Sequence, residues 1–148
     1  MTQIEGTFQV TKDSFPSQQA KIEHLIQTSD FLLQPFIEEV ETEGEYSFIF
    51  FGGKYSHAVI KKLSAGKFTI ERRGATVEKV YPLQDFIQQA EKIYEALPQP
   101  LLYARIDAVN RQGTLHVMEA ELIDPILYFA MHPDAPIAYA QAVKNFCN

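Results

Sequence analysis

The strongest constraint on the fold comes from residues 101–129, where apolar and polar residues alternate along the chain. A polar turn from Asn110 to Gly113 divides this stretch into two halves. Alternation with a period of two is typical of strands with one buried face, and glycine suits a tight turn. The pattern therefore predicts a β-hairpin, and we expect the rest of the chain to be organised around it.

Charged residues on this hairpin recur at intervals of two. Because successive strand side chains point to opposite faces, Arg105 and Asp107 share one face of the first strand, and Glu119 and Glu121 share one face of the second. Three carboxylates without a nearby histidine or cysteine suit an ion such as Mg²⁺, which often bridges phosphates. The arginine can hold a phosphate oxygen bidentately. This combination suggests nucleotide chemistry.

A second interpretation of these acids stays open. Acidic residues are common on the wet face of a surface hairpin, where they bind nothing. The flanking residues favour a binding site, because they indicate a well-packed strand. Carboxylates on such a strand need a partner. Those flanking residues are apolar: Val117, Met118, Ala120, Leu122 and Ile123.

Two motifs carry a resemblance to a known family. Arg105-Ile-Asp107 and Glu119-Ala-Glu121-Leu-Ile-Asp-Pro125 resemble the metal-binding end of the ATP-grasp superfamily, in its glutathione-synthetase-like branch. These ligases join a carboxylate to an amine or similar nucleophile through an acyl phosphate, with ATP and Mg²⁺ or Mn²⁺. The resemblance implies that Asp107 and Glu119 bind metal and that Arg105 lies near the phosphates. Glu121 stands where many members have asparagine, and it can still bind a metal.

Residues 31–40 read as an apolar strand interrupted by Pro35, followed by an acidic turn that is typical of a solvated loop. The resemblance implies that Glu45, after Gly44, binds the ribose hydroxyls. It also implies that the adenine edge is read by a hinge made of Gln34, Pro35, Phe36 and Ile37.

A second hairpin is predicted over residues 46–51 and 55–61, joined by Gly52-Gly53. Its first strand is apolar on both faces, so we expect it to be central in a covered sheet. On its second strand, parity places Tyr55, His57, Val59 and Lys61 on one face. The resemblance implies that Lys61 lies near transferred phosphate or substrate carboxylate. A solvated lysine and a structural histidine are the alternatives for Lys61 and His57.

Helical spacing predicts helices over residues 17–28, with Ser17 as N-cap, over 82–97 and over 136–146. A further strand is predicted over residues 67–71. Members of the family often have an arginine on this strand that binds the acceptor carboxylate, whereas this chain has Thr69, so the class of acceptor substrate stays undetermined. The predicted fold class is α+β, a mostly antiparallel sheet with packed helices. It resembles the C-terminal part of an ATP-grasp domain, with residues 1–148 as one partial domain.

Two functions follow from the resemblance. The first is the ATP-grasp portion of a ligase that acts on a small carboxylate and an amine-type nucleophile. The second is a non-catalytic fragment that binds nucleotide weakly or serves as an interaction module. The resemblance implies that the N-terminal substrate domain and the lysine-bearing strands are absent, so we expect little turnover from this chain alone. We also expect self-association as a homo-oligomer, or pairing with the missing half.

Charge and composition exclude other classes. With 13 basic and 19 acidic residues the net charge is −6, and no basic face for nucleic acid is visible. The absence of a long apolar run or a secretory leader predicts a cytoplasmic protein that does not bind membranes. The single Cys147 cannot form an internal disulfide.

Overall fold

A computed structural model describes residues 8–62 and 76–148 of the chain. Within these two ranges, five strands form one sheet in the order β3-β2-β1-β4-β5, and every neighbouring pair is antiparallel. The strands are β1 (Glu45–Phe51), β2 (Lys54–Lys62), β3 (Thr76–Val80), β4 (Tyr103–Arg111) and β5 (Thr114–Glu121). The helices are α1 (Phe15–Thr28), α2 (Glu39–Thr42), α3 (Gln84–Glu95) and α4 (Ala135–Phe146), with a 3₁₀ turn at Phe129–Met131. The predicted α+β class is confirmed.

Both predicted hairpins are present. The turn between β1 and β2 is made by Gly52 and Gly53, with φ of 53° and 85°. In the turn between β4 and β5, Gln112 and Gly113 have φ of 54° and 86°. The side-chain oxygen of Asn110 closes this turn by accepting a hydrogen bond of 2.8 Å from the Gly113 N–H. Two residues with positive φ are typical of tight hairpin turns, because their twist matches that of the flanking strands.

Strand β1 is central, as its apolar sequence predicted. It pairs with β2 on one side and β4 on the other. Phe48 and Phe50 point to the face that α3 covers, while Ile49 and Phe51 point to the face that α4 covers. All four side chains are buried. A strand with two partners and two covered faces can be apolar throughout.

The helices on the two faces are also confirmed. On α3, the buried residues Phe86, Ala90 and Tyr94 recur every four positions, and the Tyr94 ring stacks on Phe50 with ring centroids 4.8 Å apart. Helix α4 buries Ala135 and Ala142 against the opposite face. Small side chains at these positions let the helix lie close to the sheet.

The first part of the chain differs from the prediction. Helix α1 begins at Phe15 with Ser14 as N-cap, not Ser17, and it buries no residue against the described parts of the chain. The predicted strand over residues 31–40 is wrong, because residues 29–37 adopt neither strand nor helix and residues 39–42 form α2. Strand β1 already has both partners, and Pro35 has no N–H to offer a sheet. The predicted strand over residues 67–71 lies outside the described residues.

Gly44 fixes the way the chain enters β1. Its φ is +94°, and a Cβ there would lie 2.7 Å from the carbonyl oxygen of Lys61. Glycine is required twice over, for the positive φ and for the close approach to β2. The residue that follows, Glu45, is thereby placed directly opposite Lys61.

We expect Gly44→Ala to lower the free energy of unfolding by at least about 2 kcal/mol, since positive φ strain adds to a backbone collision. Gly113→Ala is the matched control, because its φ is +86° but a Cβ there would meet nothing within 4 Å. It should lose only about 1 kcal/mol. Urea denaturation followed by circular dichroism measures both. Equal losses would contradict the close approach at Gly44.

Candidate functional site

Charged side chains from four neighbouring strands meet on the face of the sheet that α4 partly covers. Strand register sets this arrangement, because Arg105 lies opposite Glu121, Asp107 lies opposite Glu119, and Glu45 lies opposite Lys61. The neighbours Ala104, Ile106 and Ala108 point the other way, into the core under α3. The cluster consists of Glu45, Lys61, Arg105, Asp107, Glu119 and Glu121.

The Asp107 carboxylate is the centre of this cluster. The Asp107 side chain is fully buried. Its Oδ1 accepts a hydrogen bond of 3.0 Å from Arg105 Nε, and its Oδ2 accepts one of 2.9 Å from Arg105 Nη2. The same Oδ2 accepts a bond of 2.8 Å from Lys61 Nζ, which lies 3.0 Å from Glu45 Oε2. One buried carboxylate therefore holds two cations from different strands.

Arg105 reaches all three predicted metal ligands. Besides Asp107, it forms an ion pair with Glu121, and its Nη2 lies 3.9 Å from Glu119 Oε2. The Arg105 side chain is 1% exposed, whereas that of Glu119 is 48% exposed. The structure thus brings together the four hairpin residues that the sequence singled out. Their roles toward metal and phosphate stay predictions.

A β-bulge is needed for this meeting. Asp107 pairs with Glu119 while Ala108 pairs with Val117, so Met118 is the extra residue on β5. Without it, Glu119 and Glu121 would share a face with Leu115, which is buried in the core under α3.

A second bulge corrects the predicted face of β2. Ile49 pairs with His57 and Phe50 pairs with Tyr55, so Ser56 is the extra residue. Tyr55 therefore packs into the core under α3, opposite to the face predicted for it. His57 and Lys61 share the face of the charged cluster, as predicted.

Burial and pairing act against each other on the pKa values of the cluster. Burial would raise the pKa of Asp107, but hydrogen bonds from Arg105 and the charge of Lys61 lower it below its usual value. Burial would lower the pKa of Lys61 and of Arg105, but the carboxylates outweigh burial and raise both. These three groups are ionised at neutral pH. Burial raises the pKa of Glu45, against the opposing charge of Lys61.

The cluster suits a divalent cation in charge and donor type. Among the described residues, four carboxylates meet two cations here, which leaves two excess negative charges when all six groups are ionised. Every donor is a carboxylate oxygen, the kind that Mg²⁺ prefers. However, residues 8–62 and 76–148 contain no group of three or more acidic, histidine or cysteine side chains already arranged to hold an ion. Arg105 lies among the acids and occupies their oxygens.

Helix α2 fixes the approach to Glu45. Arg111 Nε donates to Glu39 Oε1 at 3.0 Å, and Asn110 Nδ2 donates to Glu43 Oε2 at 3.0 Å. These contacts tie α2 to the turn of the β4–β5 hairpin. The acidic stretch before Glu45 is therefore partly helical and anchored, which the sequence alone did not indicate.

The predicted adenine hinge lies just before α2, in a stretch without helix or strand. Its members are exposed except Ile37, which is partly buried and whose carbonyl accepts a bond of 3.3 Å from the Val40 N–H. The adenine role of Gln34, Pro35, Phe36 and Ile37 stays a prediction.

Sequence reasoning missed Ser47. This residue of β1 is fully buried and lies directly opposite Asp107. The available signal was a single small polar residue within an otherwise apolar strand, Tyr-Ser-Phe-Ile-Phe-Phe. A small side chain there leaves room for Lys61 of β2 to reach across β1 to Asp107 of β4.

Comparison with known proteins gives relatives by sequence and by structure. No protein-family model matches the chain. The chain is similar to the cycloserine biosynthesis protein DcsG of Streptomyces lavendulae, with 31% identity over 126 residues, 79% of this chain and 42% of DcsG. The crystal structure of D-cycloserine synthetase DcsG superposes with a TM-score of 0.67 and 27% identity, over 90% of this chain and 48% of that one.

A D-alanine–D-alanine ligase shares the fold. The structure of the Bacillus anthracis enzyme complexed with ATP matches with a TM-score of 0.55 and 18% identity, over 90% of this chain and 45% of the ligase. The chain spans less than half the length of each of these relatives. No helix among the described residues has the length and apolar character to cross a membrane.

Removing the charge of Asp107 should destabilise the fold strongly. We expect Asp107→Asn to lower the free energy of unfolding by about 3 kcal/mol or more, because Arg105 would stay buried without its main partner. Glu119→Gln is the control, and it should lose less than about 1 kcal/mol since that carboxylate is half exposed. Urea denaturation at pH 7 measures both. Similar losses in the two variants would contradict the central role of Asp107.

The effect of Asp107 should also depend on pH. Its pKa is lowered on folding, so its stabilising effect is complete above the unfolded value near 3.9 and is lost as the pH falls through the folded value. The stability difference between wild type and Asp107→Asn should therefore narrow below about pH 4. Denaturation curves at pH 7, 5, 4 and 3 test this. A constant difference would show that charge pairing is not its source.

Proposed function

We propose that this chain, whose fold and relatives fit a partial ATP-grasp unit, binds ATP with Mg²⁺ as the phosphoryl-transfer portion of a ligase. The ligase would join a small carboxylate to an amine-type nucleophile through an acyl phosphate. The observation that carries the proposal is the pair of cations, Arg105 and Lys61, held by one buried carboxylate beside two glutamates.

The two cations suit the phosphates of a nucleotide. Both contact Asp107 Oδ2, at 2.9 Å from Arg105 Nη2 and 2.8 Å from Lys61 Nζ, so the charges lie close together. Phosphoryl transfer depends mainly on positioning and on stabilising negative charge. Asp107 orients both groups before any ligand binds. The raised pKa of Lys61 keeps its ammonium charged.

A metal ion would complete the charge balance of the complex. Mg²⁺, when bound, would offset the negative charge of the phosphates. Asp107, Glu119 and Glu121 would hold it, and Glu119 is the one most open to solvent. Both glutamates are within reach of Arg105 in this structure, so Arg105 and the metal compete for the same oxygens. Phosphate oxygens would give Arg105 a replacement partner.

The remaining parts of the nucleotide are assigned by resemblance. Glu45 would accept hydrogen bonds from the ribose hydroxyls, since a carboxylate can accept both. Its side chain is 22% exposed and already contacts Lys61, which places it next to the phosphate-binding cations. The hinge of Gln34, Pro35, Phe36 and Ile37 would bind adenine. Residues 1–148 would form a single partial domain.

A second candidate function is a nucleotide-binding or interaction module without turnover. The observation that favours it is the apolar surface of the first part of the chain, where Leu32 and Leu33 are 96% and 88% exposed. Such surface often marks contact with another polypeptide. In either case we expect this chain alone to show little turnover, because it spans less than half the length of the relatives it matches and phosphoryl transfer depends on complete positioning and charge.

Calorimetric titration of ATP into the protein, with and without Mg²⁺, tests the proposal. We expect binding that strengthens with Mg²⁺ and that Glu119→Gln weakens at least about tenfold, about 1.4 kcal/mol. Glu91→Gln, which removes an exposed acid on α3, should bind like wild type. No heat of binding at millimolar ATP, from protein shown to be folded, would overturn the proposal. Turnover after addition of a small carboxylate and an amine would favour the ligase, whereas ATP binding without turnover fits both functions.

A further inference from the structure

The loop between β5 and α4, residues 122–134, borders the charged cluster. It begins directly after Glu121, and two of its residues, Asp124 and Tyr128, have left-handed φ of 60° and 50°. The Tyr128 side chain lies close enough to Arg105 to interact electrostatically with the guanidinium. The position of this loop therefore affects the surroundings of Arg105.

An apolar contact and a polar contact are among those that hold the 122–134 loop against the sheet. The first is apolar, since the Phe129 ring stacks on Phe51 at 5.8 Å with an interplanar angle of 17°. The second is polar, since Nε2 of His57 lies 3.1 Å from the carbonyl oxygen of Leu127. A carbonyl can only accept, so Nε2 carries the hydrogen.

His57 is placed for this contact by the sheet. It is 4% exposed, and the bulge at Ser56 turns it to the same face as Ile49. Its Nδ1 lies 3.0 Å from the Ser56 hydroxyl. With Nε2 donating to Leu127, Nδ1 of the neutral ring accepts from that hydroxyl. Both ring nitrogens thus have partners when the imidazole is uncharged.

The groups around His57 oppose a positive charge. His132, on the loop, stacks on it with ring centroids 5.3 Å apart, and Lys79 approaches from β3. The other neighbours are the Phe51 ring, the Ser56 hydroxyl and the carbonyls of Leu127 and Tyr128. Within the described residues, no carboxylate is among these neighbours. Burial first, and then His132 and Lys79, lower the pKa of His57, and together they outweigh the carbonyls of Leu127 and Tyr128, which raise it.

We propose that His57 is a positioning residue that holds the 122–134 loop at the edge of the Arg105 cluster, and that acid loosens this hold. When the loop is closed, an added proton creates a buried charge beside His132 and Lys79. When the loop opens, water stabilises that charge. Protonation therefore favours the open loop.

The direction of the pH effect follows from linkage. The closed loop binds the proton more weakly than the open loop, so closure is fully stable above the ordinary histidine pKa near 6.5. It weakens as the pH falls below that value. The stacking of Phe129 on Phe51 involves no titratable group and persists in acid, so the loop should loosen around Leu127 and His132 without detaching as a whole.

Amide hydrogen exchange of the loop, followed by NMR and corrected for the intrinsic pH dependence of exchange, tests the proposal. In wild type, the amides of Met131 and His132, which donate to the carbonyls of Tyr128 and Phe129, should be protected at pH 7.5 and at least about fivefold less protected at pH 5.5. His57→Gln keeps an N–H donor but cannot titrate, so it should stay protected at both pH values. His57→Phe should be poorly protected at both. His24→Gln, on exposed α1, is the control and should behave like wild type.

Protection in His57→Phe equal to that of wild type would overturn the proposal, as would a pH dependence that persists in His57→Gln. If a variant fails to fold, titration of the wild-type imidazole by NMR decides the question. We expect the His57 signal to titrate below the ordinary histidine value and the loop amide shifts to follow the same curve. Loop shifts that follow only His24 would overturn the proposal.

The functional consequence rests on the proposed function, and the loop measurement does not. If ATP binds, its affinity should fall between pH 7.5 and 5.5 in wild type and change less in His57→Gln. If ATP does not bind but the loop responds as expected, the proposed function fails while the role of His57 stands.

Discussion

The structure depends on one buried carboxylate that bridges two cations across a strand. Asp107 lies on β4 and Lys61 on β2, with β1 between them, so their contact of 2.8 Å crosses the central strand. Lys61 can reach Asp107 because Ser47, the β1 residue opposite Asp107, has a small side chain. A buried charge without a partner is strongly destabilising. The Asp107 carboxylate therefore has both cationic partners only when β2, β1 and β4 pair in the register that brings Lys61 close to Arg105.

This arrangement explains how a charged site can exist without a ligand. Arg105 is satisfied by Asp107, Glu121 and Glu119, and the excess of carboxylates lies on the exposed side of the cluster. The buried carboxylate of Asp107 fixes the two cations. The more exposed carboxylates of Glu119 and Glu121 are the ones that a ligand could rearrange. Under the proposed function, a nucleotide with Mg²⁺ would replace the internal pairs by supplying phosphates for Arg105 and a cation for the glutamates.

Much of this was predictable from local pattern, and the failures share a cause. The stripe of Phe86, Ala90 and Tyr94 identified α3 because helical spacing is a property of the segment itself. The grouping of Arg105 with Asp107 followed from strand parity in the same way. The stretch over residues 31–40 was mistaken for a strand, because its apolar composition says nothing about whether a sheet partner is available. Strand pairing depends on which other segments of the chain are available as partners, and a local sequence pattern does not contain that information.

The two bulges make the same point at the level of the site. An extra residue at Met118 turns Glu119 and Glu121 from the core under α3 to the face of Arg105, and one at Ser56 does the same for His57 relative to Tyr55. In each case regular alternation would direct polar groups into the hydrophobic core, where they would lack partners. One bulge lies on β2, which pairs with β1, and the other lies on β5, which pairs with β4. Each bulge changes the face to which the side chains after it point, relative to those before it. The two bulges therefore place the charged cluster and His57 on the face of the sheet that α4 partly covers. Deleting either bulge should disturb both that face and the core under α3.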